Sequence, residues 1–175
     1  MNKIYFITGV NGVGKSSIMP HLNLLLAGEF EVHDFDERGV PENAGNEWRI
    51  SETKYWVNEG MKLAEKNKSI VICGFVRVTD FQDLQNSPEI VCILLDAAPE
   101  IIRKRLIERY STDGVFDESQ KVIGKPINVF IDGNLWILGE MKKSFEQINC
   151  PIVDTTNLTP EEVARIVADE IIARK

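Results

Sequence analysis

Ile4-Tyr5-Phe6-Ile7-Thr8-Gly9-Val10-Asn11-Gly12-Val13-Gly14-Lys15-Ser16 is the stretch from which the rest of this 175-residue sequence can be read. An apolar, β-branch-rich run ends at Thr8, and Gly9 to Ser16 then fit G-x-x-x-x-G-K-[ST]. Glycines let the backbone turn its N–H groups inward around an anion, and the helix opening behind them adds partial positive charge. Lys15 supplies a full charge for β- and γ-phosphates, and the Ser16 hydroxyl suits Mg²⁺. The expected ligand is a nucleoside triphosphate, held by Gly9, Asn11, Gly12, Val13, Gly14, Lys15, Ser16 and Ser17.

Outward from this loop, strand-like runs recur at 30–35, 70–73, 90–95 and 151–153. Helical spacing fills the intervals, at 16–26, 48–67, 99–110 and 127–148. In 48–67 the spacing sets Val57, Met61 and Ala64 on one face. In 127–148 an amphipathic stripe runs through Ile127, Ile131, Leu135, Leu138, Met141 and Phe145. The last helix is announced by Thr159 as N-cap, Pro160 at its first position and Glu162 three residues on, a capping box. Strands alternating with helices require parallel pairing through right-handed crossovers. The expected architecture is a single α/β domain over 1–175, a three-layer αβα sandwich on a five-stranded parallel sheet. Two stretches rich in turn residues, 36–46 and 111–126, are expected to be mobile inserts over a site.

Composition narrows the partners. The chain is 43% apolar and 27% charged, which excludes a disordered chain, and its net charge is −7. An acidic protein has no general grip on a nucleic-acid backbone or an anionic membrane, so neither is an expected partner. No apolar run approaches the ~18 residues of a membrane span. Cys73, Cys92 and Cys150 are odd in number, widely spaced and set in or beside apolar runs, as small buried hydrophobes are. A cytoplasmic protein is expected.

The order of these features resembles that of the small P-loop kinases, the group that includes shikimate, gluconate and adenylate kinases. The resemblance covers nearly the whole chain. After the loop comes His33-Asp34-Phe35-Asp36-Glu37-Arg38-Gly39, similar to the D-x-D at the end of the second strand in shikimate and gluconate kinases. It implies one carboxylate on the Mg²⁺ side and one that binds or deprotonates an acceptor hydroxyl. Asp36 is assigned to the acceptor and Asp34 to the metal, with Ser16, although the two could exchange. Cys73-Gly74-Phe75-Val76-Arg77 is similar to the D-G-F-P-R of adenylate kinase, with Cys for Asp and Val for Pro. That departure removes the usual third-strand carboxylate and returns the metal role to the second-strand pair. Gly74 is expected to let an acceptor approach, and Arg77 to hold its anionic group. Asp96 matches a Walker B string but is read as a loop acid, because the fourth strand should lie on the far side of the first.

Further along, the resemblance implies a lid over 111–126 and arginines that clamp the triphosphate. Arg105 and Arg109 share a helix face, and Arg109 joins Lys15 and Asp36 as an expected catalytic residue. An acceptor-binding insert over about 36–67 would contribute Trp48 and Arg49, with Trp56 in the core. Thr156 would lie at the adenine loop. The activity implied is transfer of the γ-phosphoryl group of ATP to a hydroxyl of a small metabolite, with Mg²⁺. Alternatives are a nucleoside or nucleoside-monophosphate kinase, a 5′-hydroxyl polynucleotide kinase (disfavoured by the acidic charge), and a nucleotide-binding switch without an acceptor.

Overall fold

The structure, a computed structural model, describes residues 3–42, 44–81, 84, 89–111 and 115–175. Its sheet is built on β1 (Ile4–Thr8), whose five residues are all buried, as a strand covered on both faces must be. β3 (Ser69–Cys73) and β4 (Ile90–Asp96) flank it in parallel, pairing Ile4 with Ile70 and with Ile90. β2 (Phe30–Asp34) and β7 (Ile152–Asp154) form the edges, giving the order β2-β3-β1-β4-β7. The five-stranded parallel sheet is the one expected from the sequence. The fourth strand lies opposite the third across β1, so Asp96 stands apart from the end of β3. There it accepts an ion pair from Lys142, and its carbonyl holds Thr155 N at 2.8 Å.

Helices α1 (Lys15–Leu25), α2 (Asn46–Ala64), α3 (Pro99–Tyr110), α4 (Ile127–Gln147) and α5 (Pro160–Ala173) complete the layers. The α5 capping box forms as read: Glu162 N donates to the Thr159 hydroxyl, while the Glu162 carboxylate accepts from Thr159 N. α4 buries the expected stripe except Leu135, which is half-buried, and adds Phe130 and Asn134 to it.

α2 departs from the expected face. Its buried side runs through Arg49, Glu52, Thr53, Trp56, Val57 and Gly60, while Met61 is 46% exposed. The stripe is polar at its N-terminal end, so an apolar period finds only its second half. Near 111–126, residues 112–114 lie outside the described residues. The rest carries a hairpin, β5 (Lys121–Val122) and β6 (Lys125–Pro126), turned by Ile123 and Gly124 at φ 53 and 72. No helix among the described residues is long and apolar enough to cross a membrane.

Gly60 is where α2 touches the sheet. A Cβ there would stand 2.6 Å from Ile4 Cδ1 and 2.9 Å from Ile70 Cγ2, both on buried strand residues. Gly60→Ala is expected to cost about 1–3 kcal/mol by overpacking, despite the higher helix propensity of alanine. Urea unfolding checks this, and an unchanged or raised midpoint would contradict the packing.

Candidate active site

The loop between β1 and α1 holds Gly9, Gly12 and Gly14 at φ 147, 89 and 105, conformations that side chains resist and an inward-facing anion nest uses. Lys15, first residue of α1, folds back so that its Nζ donates to Gly9 O at 2.7 Å and Val10 O at 2.9 Å. Burial pushes its ammonium down from the ordinary 10.5 to about 8, opposed by Asp36 and Asp34 and assisted by Arg109.

Beyond the loop, a pocket of about 100 Å³ gathers Asn11, Lys15, Ser16, Asp34, Asp36, Cys73, Gly74, Phe75 and Arg109. Residues from four separate segments thus meet around the lysine. Asp34 ends β2 and its Oδ1 accepts Asp36 N at 2.9 Å, which fixes the turn and sets both carboxylates on one side. Phe35 points the other way, fully buried. Burial and the charge of Asp34 raise the Asp36 carboxyl above its usual value, with Lys15 opposing. Where relatives by resemblance carry a third-strand acid, Cys73 is buried, and burial holds its thiol up at about 12. A protonated thiol is a poor Mg²⁺ ligand, whereas the Ser16 hydroxyl and the Asp34 carboxylate are the hard oxygen donors Mg²⁺ takes.

A second hollow of about 470 Å³ adjoins the first through Gly12, Gly14, Ser17 and Arg109. Ile18, Leu158, Pro160 and Val163 give it apolar walls, suited to a flat base. Arg109, on the last turn of α3, lines both spaces and has no ion-pair partner among the described residues.

Several expected contacts are also engaged within the protein, although Gly74 lines the smaller pocket and Arg105 the larger hollow. Arg105 donates to Gly12 O (3.1 Å), Thr155 Oγ1 (3.1 Å) and Thr155 O (2.9 Å), so it staples the loop to the segment after β7 rather than standing free as a phosphate clamp. Thr156 accepts Ala98 N at 2.8 Å and donates to Asp154, and its neighbour Thr155 lines the hollow. Gly74 is required by Phe35: a Cβ would come 2.1 Å from Phe35 Cβ, so the glycine serves the β2–β3 junction. Trp48 stacks edge-to-face on Phe35, 5.8 Å between centroids, and Trp56 is core, donating to Phe35 O. Arg49 is buried, its Nε and Nη2 donating to Asp80 at 2.7 and 2.9 Å and its Nη1 to Asn46. Arg77 sets its guanidinium 5.3 Å from the Phe75 ring centroid with no ion-pair partner among the described residues, and its backbone N–H donates to Asp80 at 2.7 Å.

Sequence reading missed Thr8, which exchanges hydrogen bonds with Val76 and pins the segment after β3. It also missed Asn134, whose Oδ1 accepts Asn11 N (3.2 Å) and Nδ2 (3.3 Å). Asp80 carried no signal, since its partner lies 31 residues away. Removing either member of that buried pair would cost about 3–5 kcal/mol.

No protein-family model and no curated protein matches the chain. Its structure, however, is similar to those of known kinases. The shikimate kinase of Acinetobacter baumannii, solved with shikimate, aligns over 100% of this chain and 95% of its own, with a TM-score of 0.62 at 17% identity. The shikimate kinase of Bacteroides thetaiotaomicron aligns over 98% of both chains, TM-score 0.62, 17% identity. The thymidylate kinase of Candida albicans aligns over 99% of this chain and 92% of its own, TM-score 0.53, 14% identity. The fold is that of the shikimate-kinase-like P-loop proteins. At these identities the likeness extends to the fold alone.

The lowered pKa of Lys15 links site to stability. The unfolded chain binds that proton more tightly, so stability rises with pH between about 8 and 10.5 and is lowest below 8. Lys15→Met is expected to melt higher than the parent at pH 7, with the advantage shrinking by pH 10. Scanning calorimetry at both pH values checks this, and a constant difference would contradict the burial of the ammonium.

Proposed function

We propose that the chain is a phosphotransferase that moves the γ-phosphoryl group of ATP to a hydroxyl of a small acceptor. The observation that carries this reading is the convergence of Lys15, Asp34, Asp36 and Arg109 on one pocket that opens into a base-sized hollow. The base would lie against Ile18, Leu158 and Val163, and the phosphates on the N–H groups of residues 9–17. The insert at about 36–67 would serve the acceptor and the segment at 111–126 would close over the reaction, excluding water.

In the transfer, the acceptor oxygen forms a bond to Pγ while the bond from Pγ to the β,γ-bridging oxygen breaks. ADP leaves with that electron pair. The hydroxyl proton passes to the Asp36 carboxylate, which burial and Asp34 make more basic than an ordinary aspartate and which accepts no hydrogen bond among the described residues. Asp34 is committed to the turn through one oxygen, which leaves its other for Mg²⁺ together with Ser16. Mg²⁺ would supply charge neutralisation across the β- and γ-phosphates. Lys15 exchanges its loop carbonyls for phosphate oxygens, and Arg109, lining both spaces, meets charge that develops between them. ATP with Mg²⁺ and the acceptor are the partners this chemistry needs.

Asp36→Asn is expected to lower the rate of transfer by about 10²–10⁴ with little change in the KM for ATP. In the parent, the base works deprotonated, so the acid limb should rise with pH through a pKa above the usual aspartate value. Transfer of labelled γ-phosphate into a pool of hydroxylated metabolites measures both. Retention of most activity by the variant would remove Asp36 from the chemistry.

A further inference from the structure

Asp36 stands where the chain leaves the sheet. Phe35 N still donates to Cys73 O at 2.9 Å, but β2 is an edge strand and gives the chain no second neighbour. From Asp36 onward the backbone bonds, among the described residues, stay within the segment or return to Asp34. Asp36 N donates to Asp34 Oδ1, Glu37 N to Asp34 O, Gly39 N to Asp36 O and Ala44 N to Pro41 O. Glu37 faces back along β2, its carboxylate engaged with His33 and with Asp34 N. A turn held only by these local bonds would let the Asp36 carboxylate swing, and misplacing a reacting group by about 1 Å can cost a hundredfold in rate.

α2 supplies the hold. Ahead of Asp36, Trp56 Nε1 donates to Phe35 O at 3.1 Å. Beyond it, Arg38 reaches the same helix: its Nη1 donates to Glu52 Oε1 and Oε2 at 3.3 and 3.2 Å, and its Cζ lies 3.6 Å from the Tyr55 ring centroid. Asp36 is thus bracketed by two anchors one turn apart on α2. Glu52 is buried while Arg38 is half-exposed, and Glu52 has no other hydrogen-bond partner among the described residues. Burying a carboxylate against one cation returns little stability, and an apolar side chain in such a place often serves the core as well. What the pair adds is a fixed direction for the turn.

We propose that Glu52 is a positioning residue for Asp36: by holding Arg38 it closes the far end of the acidic turn and keeps the Asp36 carboxylate in the transfer pocket. The importance of that direction rests on the kinase reading, in which Asp36 takes the acceptor proton. The hold itself rests on the contacts of Arg38 alone.

The test compares the parent with Arg38→Met, Glu52→Gln and the double variant. Amide hydrogen exchange is read by NMR at Asp36 and Gly39, whose N–H groups bond within the turn. Each single variant is expected to exchange there at least about tenfold faster, with the amides of β1 and β3 and the melting temperature little changed, and the double variant no faster than the singles. Transfer of labelled γ-phosphate into the pool of hydroxylated metabolites is expected to fall about tenfold at saturating ATP in all three, with the KM for ATP unchanged. Exchange at Asp36 and Gly39 that stays at the parent's rate, or that rises further in the double variant, would overturn the hold of Glu52 on the turn. Faster exchange with undiminished transfer would overturn its bearing on Asp36 and leave the kinase reading standing. Faster exchange in the variants of a parent that labels no metabolite would support the hold and overturn the kinase reading.

Discussion

The C-terminal edge of the sheet is organised by the loop from Gly9 to Lys15 keeping one shape. Its backbone is tied at separate points to distant parts of the chain: Asn11 to α4 through Asn134, Gly12 to α3 through Arg105, and Val13 to the segment after β7 through Thr155, at 3.0 Å. The strand that feeds it is tied at Thr8 to the segment after β3. Each tie is a hydrogen bond of ordinary strength, worth about 1 kcal/mol alone. Together they hold the loop against α3, α4 and the segments after β3 and β7. A cradle for phosphate needs such ties, because donors that must reorganise on binding stabilise charge less.

Charge around this unit is sorted by whether it is paired. Arg49 and Asp80 neutralise one another in the interior, Arg105 is held by carbonyls and a hydroxyl, and Arg103 pairs with Asp132 on the surface. Lys15 and Arg109 face the pocket, opposite Asp34 and Asp36. Burial, with Arg109 adding to it, lowers the Lys15 pKa, and on the proposed function an arriving polyphosphate would relieve that destabilisation.

Most of the fold is legible in sequence because its strands are short apolar runs and its helices carry caps or stripes. β1, α3 and the start of α5 coincide with their expected limits for that reason. α2 is less legible: Arg49, Glu52 and Thr53 are buried polar residues whose partners lie on other segments, and no periodicity reports them. The loop and the acidic turn could be read because local geometry makes those sites. Asn134, Asp80 and Thr155 could not, since each matters through a residue far away in the chain. Arginine at an acceptor insert reads as a ligand group in sequence, and only the folded chain shows Asp80 already bound to it.

The account stands on the loop being a polyphosphate site joined to a base hollow, and calorimetric titration with ATP, ADP, AMP and inorganic triphosphate addresses it most directly. ATP and ADP are expected to bind more tightly than AMP, which reaches the hollow without filling the cradle, and more tightly than triphosphate, which fills the cradle without the hollow. Equal affinity for ATP and triphosphate would remove the base hollow from the site. No heat of binding with ATP in the presence of Mg²⁺ would contradict the account at its centre.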